Sequence, residues 1–248
     1  MTIEGLTPPR ELATADALAL LREGALEVEG RVVAASNATL YCAMTADGVS
    51  AACVYKPVAG ERPLWDFPDG TLAGREVAAY EVSAAAGWEV VPPTVLRDGP
   101  LGPGMVQLWI DTDDDVDLIA LLRGSRDERL RRIAAFDAVV NNADRKGGHL
   151  LPTRSGALYG VDHGVCFHAE DKLRTVLWQW AGQRIPEETR AVLERLQDQV
   201  RGQLGTRLAE LVTRREVRAT QLRLRRLLAA GLFPEPSGDW PPVPWPPI

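Results

Sequence analysis

Two acidic residues stand where a metal-nucleotide site needs them. Asp144 is followed by Arg145, Lys146, Gly147, Gly148 and His149, and Asp162 by His163 and Gly164. Phosphoryl transfer requires one carboxylate to orient or deprotonate the attacking hydroxyl and another to hold metal on the ATP phosphates. Asp144 and Asp162 are the candidates for these two jobs. Lys146 is a cation that could stabilise charge on the transferring group, and Gly147-Gly148 gives the backbone freedom to approach phosphates closely. Residues 150–153 and 157–161 read as two short strands around a Gly-containing turn at 154–156. Such a hairpin brings both acids to one end of the same element.

This constellation resembles the catalytic core of atypical kinases, the phosphatidylinositol 3-/4-kinase-like superfamily and the HipA-like protein kinases. It is nearest to an actinobacterial kinase-like group carrying the same Asp-Arg-Lys-Gly-Gly-His string. In that superfamily an Asp-Arg loop ends in a metal-binding Asn, and a later Asp-x-Gly supplies the other ligand. Asp144-Arg145 and Asp162-His163-Gly164 match that pattern, whereas His149 stands at the Asn position. The resemblance implies ATP with Mg or Mn as cofactors, metal at Asp162 and His149, and γ-phosphoryl transfer to a hydroxyl on a protein or small molecule. A neutral imidazole suits Mn better than Mg, which prefers oxygen ligands.

The resemblance also implies a fold, α+β and two-lobed like a protein kinase, with a small antiparallel β N-lobe plus helix and a mainly helical C-lobe. Lys56, at the end of the third strand, would meet the nucleotide phosphates. Glu76 would orient it, with Glu81, on a different part of the same helix surface, as the competitor. Ser36 and Asn37 occupy the turn where a phosphate-cradling loop would lie, and backbone N–H groups there could bind phosphate oxygens. Gln107, Leu108, Trp109 and Ile110 mark the segment expected to run past adenine. An alternative of another class is a nucleotide-binding pseudokinase acting as a regulatory or scaffold module, which the His149 departure keeps open.

The elements that must position these residues follow from pattern. Residues 8–24 have the apolar spacing of a short amphipathic helix. Residues 26–33, 39–44 and 49–56 read as strands, broken by turn chemistry at Ser36-Asn37 and Asp47-Gly48, and should form an antiparallel meander. A helix is expected over 74–86 and ends at Gly87, Pro92-Pro93 stops anything helical beyond it, and 105–110 is a strand. An amphipathic helix over 126–142 feeds the Asp144 loop, and helices follow at 186–204 and 205–230. The domains expected are an N-lobe over 1–110, a C-lobe over 111–233 and a Pro/Trp-rich tail over 234–248 that favours polyproline II and straps the C-lobe.

A net charge of -6 and a pI near 5.2 disfavour general nucleic-acid binding. The arginine-rich stretch 201–226 reads as a solvated helix face with acidic partners rather than a phosphate or headgroup patch. The odd number of cysteines, three, argues against a disulfide framework. With no export signal and no apolar run long enough for stable membrane insertion, a cytoplasmic location is expected. His149, His163 and His168 raise a zinc site, but their spacing matches no standard helix motif.

Overall fold

The computed structural model of the protein describes residues 12–32, 37–123 and 126–248. Contacts divide it into two units. The first holds the described residues up to Arg62 with Pro93–Trp109; the second holds Pro63–Pro92 and Ile110–Ile248.

The first unit is a five-stranded antiparallel sheet of order β1-β2-β3-β5-β4, with helix α1 (Thr14–Glu23) against it. The strands are β1 (Ala25–Arg31), β2 (Leu40–Ala46), β3 (Val49–Pro57), β4 (Thr94–Gly99) and β5 (Gly102–Leu108). Alternate residues of β3, namely Ala51, Cys53 and Tyr55, are buried, as the period-two pleat requires. They meet Cys42 and Met44 of β2, Val95, Val106 and the α1 residues Leu20 and Leu21. Asp47 and Gly48 both have positive φ, 48° and 77°, so β2 and β3 are joined by the tight two-residue turn that matches strand twist.

Strand β4 was not expected. Pro92-Pro93 precedes its short apolar run, yet Thr94 pairs with Gln107 and Gly99 with Gly102. Tyr55 fixes that hairpin, its hydroxyl donating to Gly102 O at 2.5 Å. A Cβ on Gly104 would stand 2.5 Å from Lys56 O and 2.6 Å from the Tyr55 ring, so only glycine lets β5 approach β3 there. Of the expected first helix, residues 8–11 lie outside the described residues, as does Ser36.

The second unit contains α2 (Leu72–Ala86), α3 (Leu118–Leu122), α4 (Glu128–Val140), a hairpin of β6 (Leu150–Pro152) and β7 (Leu158–Gly160), and α5 (Glu187–Arg201), α6 (Gln203–Leu208) and α7 (Arg214–Ala230). Helix α2, placed with the N-lobe by sequence pattern, packs here. Arg75 is fully buried, pairs with Glu216 of α7 at 2.8 Å and donates to Cys166 O at 2.7 Å, while Glu81 takes Arg207 at 2.9 Å. The expected pair of C-terminal helices is three, because Gly202 leaves helical conformation and Thr213 opens α7 with a Thr-x-x-Glu box closed by Glu216. Several arginines of this stretch have acidic partners, Arg201 with Asp198, Arg207 with Glu210 and Arg226 with Asp171. Arg223 is instead buried and donates to Val139 O and His168 O. No described helix is long and apolar enough to cross a membrane.

Candidate active site

Helix α4 sets the site's position. Asp127 caps its first turn, accepting from Arg129 and Leu130 N–H. It ends at Asn141, whose φ of 55° is the left-handed conformation that asparagine tolerates. The Asn141 side chain donates to His168 O and Glu170 O and accepts from Lys172 N–H. Asn142 donates to Asp137 Oδ1 and accepts from Asp144 N–H at 2.9 Å. The backbone entering Asp144 is thus tied to α4 and to the segment beyond the hairpin.

Beneath the loop lies a buried ion pair. Asp137 and Arg145 are both 0% exposed, with Arg145 Nη2 2.9 Å and Nε 3.0 Å from the two carboxylate oxygens. Arg145 also donates to Val161 O at 2.9 Å and meets His163 Nε2 at 2.6 Å, bracketing Asp162 from both sides. The His163 ring stacks edge-on against Phe136, and the His163 backbone N–H donates to Glu76 Oε2 at 2.8 Å. Two buried groups of opposite charge, with the guanidinium bonded in addition to Val161 O and His163 Nε2, form the anchor that joins the Asp144 loop to the Asp162 loop.

The outward groups follow from that anchor. Lys146 Nζ lies 3.1 Å from Asp144 Oδ2, and His149 Nε2 lies 3.6 Å from Asp162 Oδ2. Asp162 is half exposed and has a φ of 61°. A left-handed aspartate at a loop tip is a sparsely populated conformation of the kind that gathers at functional sites. Burial pushes the Asp144 carboxyl above the ordinary carboxylate range; Lys146 and Arg174 pull it down and the charge of Asp162 pushes it up.

The other sequence-predicted residues separate by unit. Glu76 is buried in the second unit on the His163 amide, as above. In the first, half-buried Lys56 sits on β3 opposite Met105. Asn37 Oδ1 accepts from Arg62 N–H. Gln107 is buried and donates to Thr94 Oγ1 at 2.8 Å, so its side chain braces β4 against β5. Strand β5 ends at Leu108, short of the expected Ile110; the Leu108 and Trp109 amides donate to Pro93 O and Ala52 O. Trp109 packs edge-on against Tyr41, and Ile110 is half-buried in the second unit.

Sequence reasoning missed Asp137 and Arg145 as a pair and the two asparagines as braces. The signal was present: an aspartate in the run Phe136-Asp137-Ala138-Val139-Val140 falls on a buried face, and a buried carboxylate needs a partner.

No family model matches the chain. Protein Rv2133c of Mycobacterium tuberculosis (strain ATCC 25618 / H37Rv) is 45% identical over 265 residues, covering 93% of this chain and 95% of that protein. The chain belongs to the family of Protein Rv2133c. Among solved structures this family member is similar in fold to the Golgi casein kinase with Mn/ADP bound, at a TM-score of 0.56 and 13% identity over 88% of this chain and 75% of that one. A second structure of the Golgi casein kinase gives a TM-score of 0.54 at 12% identity, covering 88% and 74%. The mixed α+β architecture with its five-stranded antiparallel sheet is thus kinase-like.

The donors present in the Rv2133c-family chain can be tested against a divalent ion. Asp162 supplies oxygen, and at 3.6 Å from it His149 Nε2 can share one ion with bonds of about 2 Å. His149 Nδ1 accepts from Lys146 N–H at 3.4 Å, and its Nε2 faces Asp162. Among the described residues no group of three or more His, Cys, Asp or Glu side chains could hold a metal.

Proposed function

We propose that the protein is an ATP- and divalent-metal-dependent phosphotransferase of the atypical kinase type, passing the γ-phosphoryl group to a hydroxyl on a protein or small molecule. The observation that carries this reading is the pairing of Asp144 with Lys146 and of Asp162 with His149 on two loops locked by one buried Asp137–Arg145 anchor. Asp144 is the group that orients the acceptor hydroxyl. Its raised affinity for a proton suits a carboxylate that receives one, and neighbouring Lys146 offers charge to the transferring group. Asp162, with His149, would hold Mg or Mn, which when bound neutralises phosphate charge. Lys56 of the first unit is assigned to phosphate contact, and Ser36, Asn37 and the segment from Gln107 to Ile110 to the rest of the nucleotide. Glu76 is assigned to nucleotide-site support through the His163 amide. The kinase-like fold and the Mn/ADP complex of the Golgi casein kinase support nucleotide and metal as the ligands.

A pseudokinase is the second reading, favoured by His149 at the position of a metal-binding Asn. Release of ADP and of labelled phosphoryl product from γ-labelled ATP separates the two. Turnover in Mn that disappears in Asp144→Asn, while ATP binding persists, supports the phosphotransferase. ATP binding without turnover in either metal, and unchanged on restoring Asn in His149→Asn, establishes the pseudokinase instead.

A further inference from the structure

The proline-rich residues 234–248 approach the candidate catalytic loop directly. Gly147 N–H donates to Pro247 O at 2.7 Å. A Cβ on Gly147 would lie 2.9 Å from Leu122 Cδ1 and 3.2 Å from Ile248 Cγ1, so the loop, α3 and the tail meet at one glycine. The same tail grips the segment Arg174–Trp178. Arg174 donates from Nε to Pro241 O at 3.0 Å and from Nη2 to Val243 O at 3.5 Å. Trp178 Nε1 donates to Pro242 O at 2.8 Å, and Thr175 N–H to the same carbonyl at 3.0 Å.

That gripped segment is bonded in turn to both flanks of Asp144. Arg174 N–H donates to Asn142 O at 2.9 Å, Arg145 N–H to Arg174 O at 3.0 Å, and Val176 N–H to Arg145 O at 3.1 Å. Proline suits this duty: it fixes φ near −65° and has no N–H of its own, so a proline-rich strand presents carbonyl oxygens at little entropic loss on ordering. The tail therefore supplies acceptors, and Arg174, Thr175, Trp178 and Gly147 supply donors.

We propose that Arg174 is a positioning residue for Asp144, clamped by the carbonyls of Pro241 and Val243, and that the tail is a strap fixing the catalytic loop rather than a free peptide ligand. The catalytic part of this inference rests on the phosphotransferase reading; the clamp does not. Exposed Trp245, at 86%, lies outside it.

The test compares full-length wild type with Arg174→Ala, Trp178→Phe and Trp245→Ala by amide hydrogen exchange and by kcat and KM for ATP. In Arg174→Ala and Trp178→Phe, the Arg145, Gly147 and Thr175 amides should exchange at least about fivefold faster, the effect of losing about one net hydrogen bond. Loss of loop geometry lowers kcat by about 10–100-fold with KM for ATP changed less than about twofold. Trp245→Ala should match wild type in both. Unchanged exchange in the first two variants overturns the clamp. Faster exchange with unchanged kcat overturns the positioning role. A wild type without turnover sinks the phosphotransferase reading, and exchange alone then decides the clamp. Trp178→Phe removes a single donor from a half-buried ring, so it keeps the test decisive where Arg174→Ala fails to fold.

Discussion

Replacing Asp137 with asparagine should unfold the protein far more easily than an isosteric change suggests. The substitution leaves the Arg145 guanidinium, 0% exposed, without its counter-charge. It also turns one acceptor into an amide donor facing Arg145 or Asn142 Nδ2, both of which now donate to Oδ1. Removing one partner of a buried pair costs about 3–5 kcal/mol. At about 2–4 °C per kcal/mol for a chain of this size, Tm should fall by about 6–20 °C. Asp137→Leu with Arg145→Met removes both charges. It gives up the Arg145 bonds to Val161 O and His163, but no bare ion remains. The double variant should therefore lie at least about 2 kcal/mol above the sum of the two singles in a denaturant-based cycle. Additivity within about 0.5 kcal/mol, or a cost below about 1 kcal/mol for Asp137→Asn, would refute the reasoning that this pair holds the two loops.

Other consequences are independent of it. Asp127 is held below the ordinary carboxylate range, chiefly by the hydrogen bond from Arg129. Its stabilisation is present above a pH of about 4 and is lost as pH falls through the lowered folded value. Asp127→Asn should thus be less stable at pH 7, by a gap in urea midpoint that closes below pH about 4; a gap constant with pH contradicts the assignment. Gly74→Ala puts a Cβ 2.7 Å from the Leu211 carbonyl oxygen. It should destabilise by about 1–3 kcal/mol despite alanine's better helix propensity, and a neutral or stabilised variant in chemical denaturation would count against close α2 packing. His149→Asn should raise the ratio of Mg- to Mn-supported turnover, since it exchanges a nitrogen donor for an oxygen; an unchanged ratio removes His149 from the metal's surroundings.

Much of this organisation was legible where one local signal sufficed. The Asp47-Gly48 turn, the alternating apolar residues of β3 and the Gly-containing turn of the β6–β7 hairpin each follow from backbone preferences that no distant contact overrides. What escaped depended on partners far along the chain. Strand β4 needs β5 and the Tyr55 ring to declare itself behind Pro92-Pro93. The place of α2 is decided by Arg75 reaching Glu216, 141 residues later, and no periodicity within α2 reports that. In the candidate site, the acids and Lys146 could be named from spacing, because their chemistry is local to two loops. The Asp137–Arg145 anchor and the Arg174 clamp were invisible, because a buried ion pair and a carbonyl-rich strap are recognised only when their partners are in place.

The most direct test is thermal unfolding with and without ATP, in Mg, in Mn and in EDTA, for wild type and Asp162→Asn. Asparagine keeps the left-handed backbone at this position accessible, so the variant isolates the charge. ATP at about a hundred times its Kd stabilises by about 2.7 kcal/mol. That is a rise in Tm of about 5–11 °C for a chain of this length. The account predicts this rise in wild type with Mg or Mn, and its loss in EDTA and in Asp162→Asn. Wild type and Asp162→Asn stabilised equally, or wild type unmoved in every metal, would contradict it.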